Sequence, residues 1–339
     1  MLTTKLDTGT MTDSAATVIE KVRESRDRML AEIHRVIYGQ DDAIEQIMIC
    51  LLAGGHSLLV GVPGLGKTLL VKTIAQLFSL DFRRIQFTPD LMPADIFGTQ
   101  LVEEDPATGR RYFRFAKGPI FGNIILADEI NRTPPKTQAA LLEAMQERHV
   151  TAAGETHPLD APFFVLATQN PIELEGTYPL PEAQLDRFLL NIVLGYLPIE
   201  AEEEMVSATT APAAPELAPI LDADRILELQ RLVREVPADR GVVSYAVRLV
   251  NATRPDSDLA PPMVRDKVKW GAGSRASQAL ILCGKARALL QGRCNVADDD
   301  VRALAEPVLR HRIITNFHAD AEGLTPEDII RDVLSTIKP

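Results

Sequence analysis

No stretch of the 339-residue sequence approaches the roughly 18 uninterrupted apolar residues that a membrane-crossing helix needs, so no transmembrane segment is expected. Cysteine is scarce. Cys50, Cys283 and Cys294 have neither metal-ligand spacing nor the even count of a disulfide framework, which points to a reducing, cytoplasmic setting. Met1 to Thr17 lacks the apolar core of a secretory leader, and none is expected. Positive charge is in deficit. The net charge of −11 weighs against nucleic acid as the main partner, because non-specific binding to a polyanion needs a basic surface. No internal repeat is visible. What is present is ordinary for a globular protein: 46% hydrophobic and 24% charged residues, in a chain long enough for about two domains.

Between residues 15 and 36, Val18, Val22, Met29, Ile33 and Val36 recur at roughly helical spacing. His56–Val60, Phe82–Phe87, Ile124–Ala127 and Phe163–Ala167 are short apolar runs that read as buried strands, and Lys67–Leu80 reads as a helix. Strands alternating with helices predict an α/β fold with a parallel, doubly wound sheet. Two segments break that rhythm. Gly98–Gly118 carries Glu103-Glu104-Asp105-Pro106 and Thr108-Gly109 ahead of Tyr112-Phe113-Arg114-Phe115, and Val150–Leu159 has Ala153-Gly154 at its centre. Each reads as an inserted β-hairpin, with an ordinary surface loop as the plain alternative. Ser207–Ile220 turns rich in Ala, Pro and Thr and reads as a linker. Asp222–Val236, Val242–Thr253, Ser274–Leu290, Ala297–Leu309 and Pro326–Ile337 then show only helical patterns.

Gly61-Val62-Pro63-Gly64-Leu65-Gly66-Lys67-Thr68 fits G-x-x-x-x-G-K-[ST] in full, after an apolar strand and at the head of a helix. The glycines let backbone N–H groups curl around phosphate oxygens, and the helix N-terminus adds a positive dipole end. Lys67 is placed to reach the β- and γ-phosphates and the Thr68 hydroxyl to hold Mg²⁺. Ile124-Ile125-Leu126-Ala127-Asp128-Glu129 ends a buried strand in two carboxylates. Asp128 is the candidate second Mg²⁺ contact, through water, and Glu129 the base for the attacking water. Phe163-Phe164-Val165-Leu166-Ala167-Thr168-Gln169-Asn170 ends a further strand in polar residues. Asn170 is the candidate for contact with the γ-phosphate or the water, with a structural strand-to-turn Asn as the alternative. In Leu185-Asp186-Arg187-Phe188 the default is an Arg187–Asp186 pair, and the functional alternative is an arginine reaching a neighbouring subunit's γ-phosphate. Arg275 opens the helix after Gly271-Ala272-Gly273-Ser274, where a solvated surface arginine is the plain reading.

With these residues together, the sequence resembles the MoxR family of AAA+ ATPases. Phe121 to Thr151 and Ala167 to Phe188 closely match that family's central blocks, and the resemblance runs from about residue 30 to 339. It implies a P-loop AAA+ core with a parallel sheet and two inserted β-hairpins, followed by a smaller all-α lid. The expected division is a partly helical N-terminal segment 1–30, an ATPase core 31–206, a linker 207–221 and a lid 222–339. The resemblance assigns ATP and Mg²⁺ as cofactors, Asp128 and Glu129 as Walker B, Asn170 as sensor 1, Arg187 as arginine finger and Arg275 as sensor 2. The family often has Ser-Pro where this chain has Gly273 and Ser274, which puts the local backbone in question more than the role of Arg275. Ile37-Tyr38-Gly39-Gln40 resembles the adenine-side loop, so Ile37 and Gly39 join the P-loop and the following Leu69 as nucleotide contacts. Gln86 and Thr88 are candidates for holding Glu129 off line, Asn131-Arg132 for facing the next subunit, and Thr133 with Pro134 for a helix cap.

Hexameric rings and a chaperone-like role toward protein clients, including metal-cofactor insertion, are what the resemblance implies. So is a separate partner with a von Willebrand factor A domain. Three other readings stay open. A nucleic-acid motor needs basic hairpins, but Arg110, Arg111, Arg114 and Lys117 face Glu103, Glu104 and Asp105, and no Lys or Arg lies between Val150 and Leu159. A chelatase motor subunit is poorly separated by sequence. A nucleotide switch without turnover is opposed by intact Lys67, Asp128, Glu129 and Arg187.

Overall fold

The computed structural model describes residues 8–104, 106, 109–152, 154–172, 176–210 and 215–339. Asp105 and Thr108 of the first expected turn, Ala153 of the second and residues 211–214 of the expected linker lie outside them. The chain divides into two compact units. A core unit comprises Val36–Glu228 and Arg310–Arg312, and a helical unit comprises Met1–Arg35, Leu229–Leu309 and Ile313–Pro339.

Helix α1 (Thr8–Ile33) opens the described chain and belongs to the helical unit. The core unit follows with α2 (Asp41–Leu52), β1 (Ser57–Val60), α3 (Lys67–Leu77), β2 (Phe82–Gln86) and α4 (Pro93–Phe97). Next come β3 (Gly98–Glu104), β4 (Arg111–Lys117), β5 (Ile124–Asp128), α5 (Pro135–Glu147), β6 (His149–Ala152), β7 (Glu155–Pro158) and β8 (Phe164–Gln169). It closes with α6 (Glu182–Leu185), β9 (Leu190–Val193) and α7 (Ile199–Thr209). Five strands form one parallel sheet in the order β2-β5-β8-β1-β9. Every residue of β5 is buried, as expected for a parallel strand covered on both faces, and this is why its sequence is a continuous apolar run. Leu141, Leu142 and Met145 of α5 pack with Phe87, Ile96, Val165 and Phe188.

Both rhythm-breaking segments are antiparallel hairpins, β3–β4 and β6–β7. They meet through rings: Phe115 of β4 stacks on His157 of β7 at 4.1 Å and 6°, and Phe121 lies edge-on to both.

Helix α8 (Ala223–Glu235) spans the division. The helical unit then holds α9 (Arg240–Asn251), α10 (Pro262–Lys267), α11 (Ser274–Leu290), α12 (Asp298–Leu309), α13 (Phe317–Glu322) and α14 (Pro326–Thr336). One short antiparallel pair, Val268–Trp270 with Ile314–Thr315, interrupts the helices. Buried Asp300 is held by Arg287 at 2.7 Å and by Arg293 at 2.5 Å.

Two expected boundaries move. Segment 1–30 is not a separate piece, because Val22 and Met29 of α1 are buried and α1 belongs to the helical unit. The linker expected over 207–221 starts inside α7, and its far end is tied to α3, with the Ile220 and Leu221 N–H groups both donating to the Leu77 carbonyl. No helix among the described residues is long and apolar enough to cross a membrane, and no disulfide joins the three cysteines.

Candidate active site

The C-terminal ends of β1, β5 and β8 lie side by side, so the loops that leave them converge on one edge of the sheet. The P-loop leaves β1. Gly64 at φ +88 and Gly66 at φ +72 adopt the left-handed conformation that a side chain resists. A Cβ on either would meet nothing within 4 Å, so the loop encloses open space rather than packing against the protein. Gly66 caps α3 with no side-chain hydrogen bond, and the first-turn N–H groups of that helix are available to an anion. Lys67 folds back across the loop, its Nζ donating to the Gly61 carbonyl at 2.6 Å. Thr68 sits half-buried in the first turn.

At the end of β5 the two carboxylates are held by different neighbours. Asp128 is 7% exposed. Its Oδ1 accepts from the Thr168 hydroxyl at 2.6 Å, and its Oδ2 accepts from Arg84 Nε at 3.0 Å and Nη2 at 2.7 Å. Glu129 adopts φ +58, a left-handed conformation that is costly for a residue with a Cβ and recurs at functional sites. Its N–H donates to Thr168 Oγ1 at 2.8 Å, and its Oε2 accepts from Gln86 Nε2 at 2.8 Å and Arg132 Nη1 at 3.0 Å. Arg84 and Gln86 lie two apart on β2 and so share a face. They are bonded to each other at 2.5 Å, and each holds one carboxylate. A hydroxyl and a carboxylate are the hard oxygen donors that Mg²⁺ takes, so Thr68 and Asp128 fit the ion, provided Arg84 gives up Oδ2.

Asn170 directly follows β8 and is 5% exposed. Its Oδ1 accepts from the Ile172 N–H at 3.2 Å, and its buried Nδ2 has no acceptor among the described residues. A buried donor left without a partner is costly, and here it stands at the sheet edge where the P-loop opens. Beside the loop lies a cleft lined by Ile37, Tyr38, Leu65, Leu69, Tyr196 and Met205. Gly39 does not line it. At φ +60 its missing Cβ leaves room for Ala201 Cβ, which would stand 2.8 Å away.

Residues 56–190 match the family model for ATPases associated with various cellular activities (AAA), and residues 262–333 match the AAA lid domain. Chaperone MoxR1 of Mycobacterium tuberculosis is 45% identical over 92% of this chain and 81% of its own length. The chain belongs to the MoxR family of AAA+ ATPases. Protein MoxR of Methylorubrum extorquens is 30% identical over 93% of this chain and 95% of its own. A crystal structure of a candidate ATPase from Cytophaga hutchinsonii superposes with a TM-score of 0.90 at 41% identity, covering 97% of this chain and 99% of that one.

Within this MoxR-family site, Lys67, Thr68, Asp128, Glu129 and Asn170 lie in the P-loop or at its neighbouring strand ends. Gln86 does hold Glu129, whereas no such bond from Thr88 is found among the described residues. The default pairing of Arg187 is corrected: the Asp186 carboxylate accepts from Arg312 Nε at 2.8 Å, and Arg187, half-buried, makes no ion pair among the described residues. Arg275 is exposed in the first turn of α11, which begins at Ser274 behind Gly273, so the Gly-Ser replacement still starts the helix. Two weaker expectations fail. Asn131 is buried, its carbonyl accepting from the Tyr178 N–H at 2.6 Å, so it does not face outward. Thr133 does not cap α5, which starts at Pro135. Thr133 is extended and buried, and its hydroxyl is unpartnered among the described residues. Three residues had escaped the sequence reading. Thr168 links the Asp128 carboxylate to the Glu129 backbone N–H, Arg84 holds Asp128, and Gln138 donates to the Ile130, Thr133 and Tyr178 carbonyls. The period-2 spacing of Arg84 and Gln86 was the one available signal for Arg84.

Proposed function

We propose that this MoxR-family ATPase hydrolyses ATP to ADP and phosphate in a homo-oligomeric ring, expected to be a hexamer, and spends the energy on remodelling or maturing protein clients. The observation that carries the reading is the pair of Asp128 and Glu129 beside the buried, unpartnered Asn170 Nδ2 at the mouth of an open P-loop. Lys67 and the N–H groups of the α3 first turn bind the phosphates. Thr68 and Asp128 would hold Mg²⁺, and the ion would supply positive charge against that of the phosphates. Glu129 takes the proton of the attacking water once Gln86 and Arg132 release Oε2. Asn170 donates to the γ-phosphate or to that water. Arg187 of one subunit serves the nucleotide of the next, and Arg275 contributes from the lid. Ile37 and the other cleft residues receive the base.

A protein client is favoured over nucleic acid by the first hairpin, which offers Val102 at 60% and Phe113 at 71% exposure on a charge-balanced ribbon. A relative named Chaperone MoxR1 agrees with that class of client. A separate partner with a von Willebrand factor A domain and a cytoplasmic setting complete the proposal. The test is Glu129→Gln, which keeps the shape and loses the base. ATP binding should persist while turnover falls by roughly 10²-fold or more. The ATP-bound ring should outlive the wild-type ring and retain client in pull-downs. Loss of ATP binding would make Glu129 structural, and DNA-stimulated turnover would favour the nucleic-acid motor.

A further inference from the structure

Three residues of the C-terminal third, Arg310–Arg312, belong to the core unit although the chain on both sides of them belongs to the helical unit. They follow α12 directly and reach the turn that carries Arg187. The Arg312 side chain is 3% exposed, so its guanidinium is committed to what it touches. Its Nε donates to the Asp186 carboxylate at 2.8 Å, its Nη2 to the Phe188 carbonyl at 2.7 Å and its Nη1 to the Leu189 carbonyl at 3.3 Å. His311 Nε2 is 3.1 Å from the same Phe188 carbonyl. Arg312 therefore grips the residue before Arg187 and the two after it, and leaves the Arg187 side chain alone. The rest of the turn is fixed by α6, through Arg187 N–H to Gln184 O at 3.2 Å, and by Leu189 N–H to His56 O at 2.7 Å.

We propose that Arg312 is the positioning residue for Arg187: it sets where the arginine stands when it reaches a neighbouring subunit's nucleotide. The planar fork of a guanidinium suits this task, because one side chain satisfies a carboxylate and two carbonyls in fixed relative directions. An ammonium is a single point charge and cannot hold all three in the same geometry. The proposal rests on the reading of Arg187 as a finger acting in trans, and it makes a stretch of the C-terminal sequence part of the hydrolytic apparatus.

The experiment compares Arg187→Ala, Arg312→Ala, Arg312→Lys and the double variant Arg187→Ala/Arg312→Ala in the full chain. Turnover, ATP affinity and hydrogen exchange of the 186–189 amides are measured for each. Arg312→Ala should lose roughly 10²-fold in turnover, the scale for a catalytic group displaced by about an ångström. Its ATP affinity should stay within about threefold of wild type, because this contact touches no part of its own nucleotide site. Exchange at 186–189 should quicken. Arg312→Lys should fall between, and it carries the test together with Asp186→Asn if the alanine variant fails to fold. The double variant should be no slower than Arg187→Ala alone, since an absent finger cannot be misplaced. Wild-type turnover in Arg312→Ala beside a dead Arg187→Ala overturns the proposal and spares the finger. A double variant slower than Arg187→Ala, or a parallel loss of ATP affinity, shows a merely structural role. Normal turnover in Arg187→Ala overturns the finger and the proposal together.

Discussion

The two ends of the central sheet use polar side chains for opposite purposes. At the N-terminal ends of β1 and β8, His56 and Arg148 are bonded to backbone groups. His56 Nδ1 accepts the Val165 N–H at 3.0 Å, which leaves Nε2–H to donate to the Met145 carbonyl at 3.0 Å. Arg148 donates to the Phe163 carbonyl at 2.5 Å and the Gly54 carbonyl at 2.7 Å, tying three loops together. At the C-terminal ends, Asn170 keeps an unpartnered buried donor, and Asp128 and Glu129 are held by side chains that can swing away. Each end also places side-chain-bearing residues in the left-handed region: Ser79 at φ +47 and Arg148 at φ +57 at the first, Glu129 at φ +58 at the second. Polar groups that saturate one another stabilise the fold. Polar groups left short of partners keep binding capacity for a substrate.

The largest effect that separates the two ends is on chemistry. Lys67→Ala removes the cation facing the triphosphate and should weaken ATP binding and abolish hydrolysis, by more than about 10³-fold. Its melting temperature without nucleotide should move little, because the wild-type Nζ folds back onto the Gly61 and Val62 carbonyls of its own loop, groups that water can serve once the ammonium is gone. Steady-state ATPase assays with thermal melts decide it. Near wild-type turnover would sink the P-loop assignment, and a collapsed melt would show that the catalytic edge also bears the fold.

That functional edge was the legible part of the sequence. Parallel strands buried on both faces are written as apolar runs, and a phosphate loop needs its glycines, Lys and Thr in a fixed local order, so β1, β5, β8 and the P-loop could be read directly. The hairpins showed as breaks in the βα rhythm. Strand β9 was missed because Leu190-Asn191-Ile192-Val193 is short, carries a polar residue and has no punctuating turn of its own before it. The place of α1 was hidden for a different reason. Helical periodicity says which face is buried and not which unit buries it. Arg312 was invisible because its partner Asp186 lies 126 residues away, and no local pattern announces a pairing at that separation.

The end that His56 and Arg148 tie together should show itself in acid. Burial, then the nearby Arg148 guanidinium, lowers the His56 pKa from 6.5 to about 3, so the folded protein keeps the imidazole neutral. The unfolded chain protonates near 6.5. The stability this residue contributes is therefore complete above pH 6.5 and is lost as pH falls from there toward 3, at about 1.4 kcal/mol per unit. Buried His311 shifts the same way and adds to the slope. Urea titrations at pH 7.0, 6.0 and 5.0 should show the loss, and His56→Gln should flatten it. An unchanged slope in that variant would show that other groups govern acid lability.

The smallest effect is the cleanest comparison, because it cancels the backbone. Glycine at 129 or at 148 relieves the same left-handed strain, about 1–2 kcal/mol, and adds the same chain entropy to the unfolded state, roughly 0.5–1 kcal/mol. The two substitutions then differ only in the side chain removed. Glu129 surrenders bonds to Gln86 and to the half-exposed Arg132, both of which can turn to water. Arg148 leaves the Phe163 and Gly54 carbonyls without a charged donor, at about 2–3 kcal/mol. Glu129→Gly should therefore shift unfolding free energy by less than about 1 kcal/mol while hydrolysis is lost, and Arg148→Gly should be less stable by about 2 kcal/mol or more while ATP still binds at low temperature. Paired denaturation curves measure the difference directly. Equal losses at the two positions would mean that the catalytic end is as tightly stapled as the other, and the left-handed Glu129 would then be an accident of packing, with no claim to be strain kept for function.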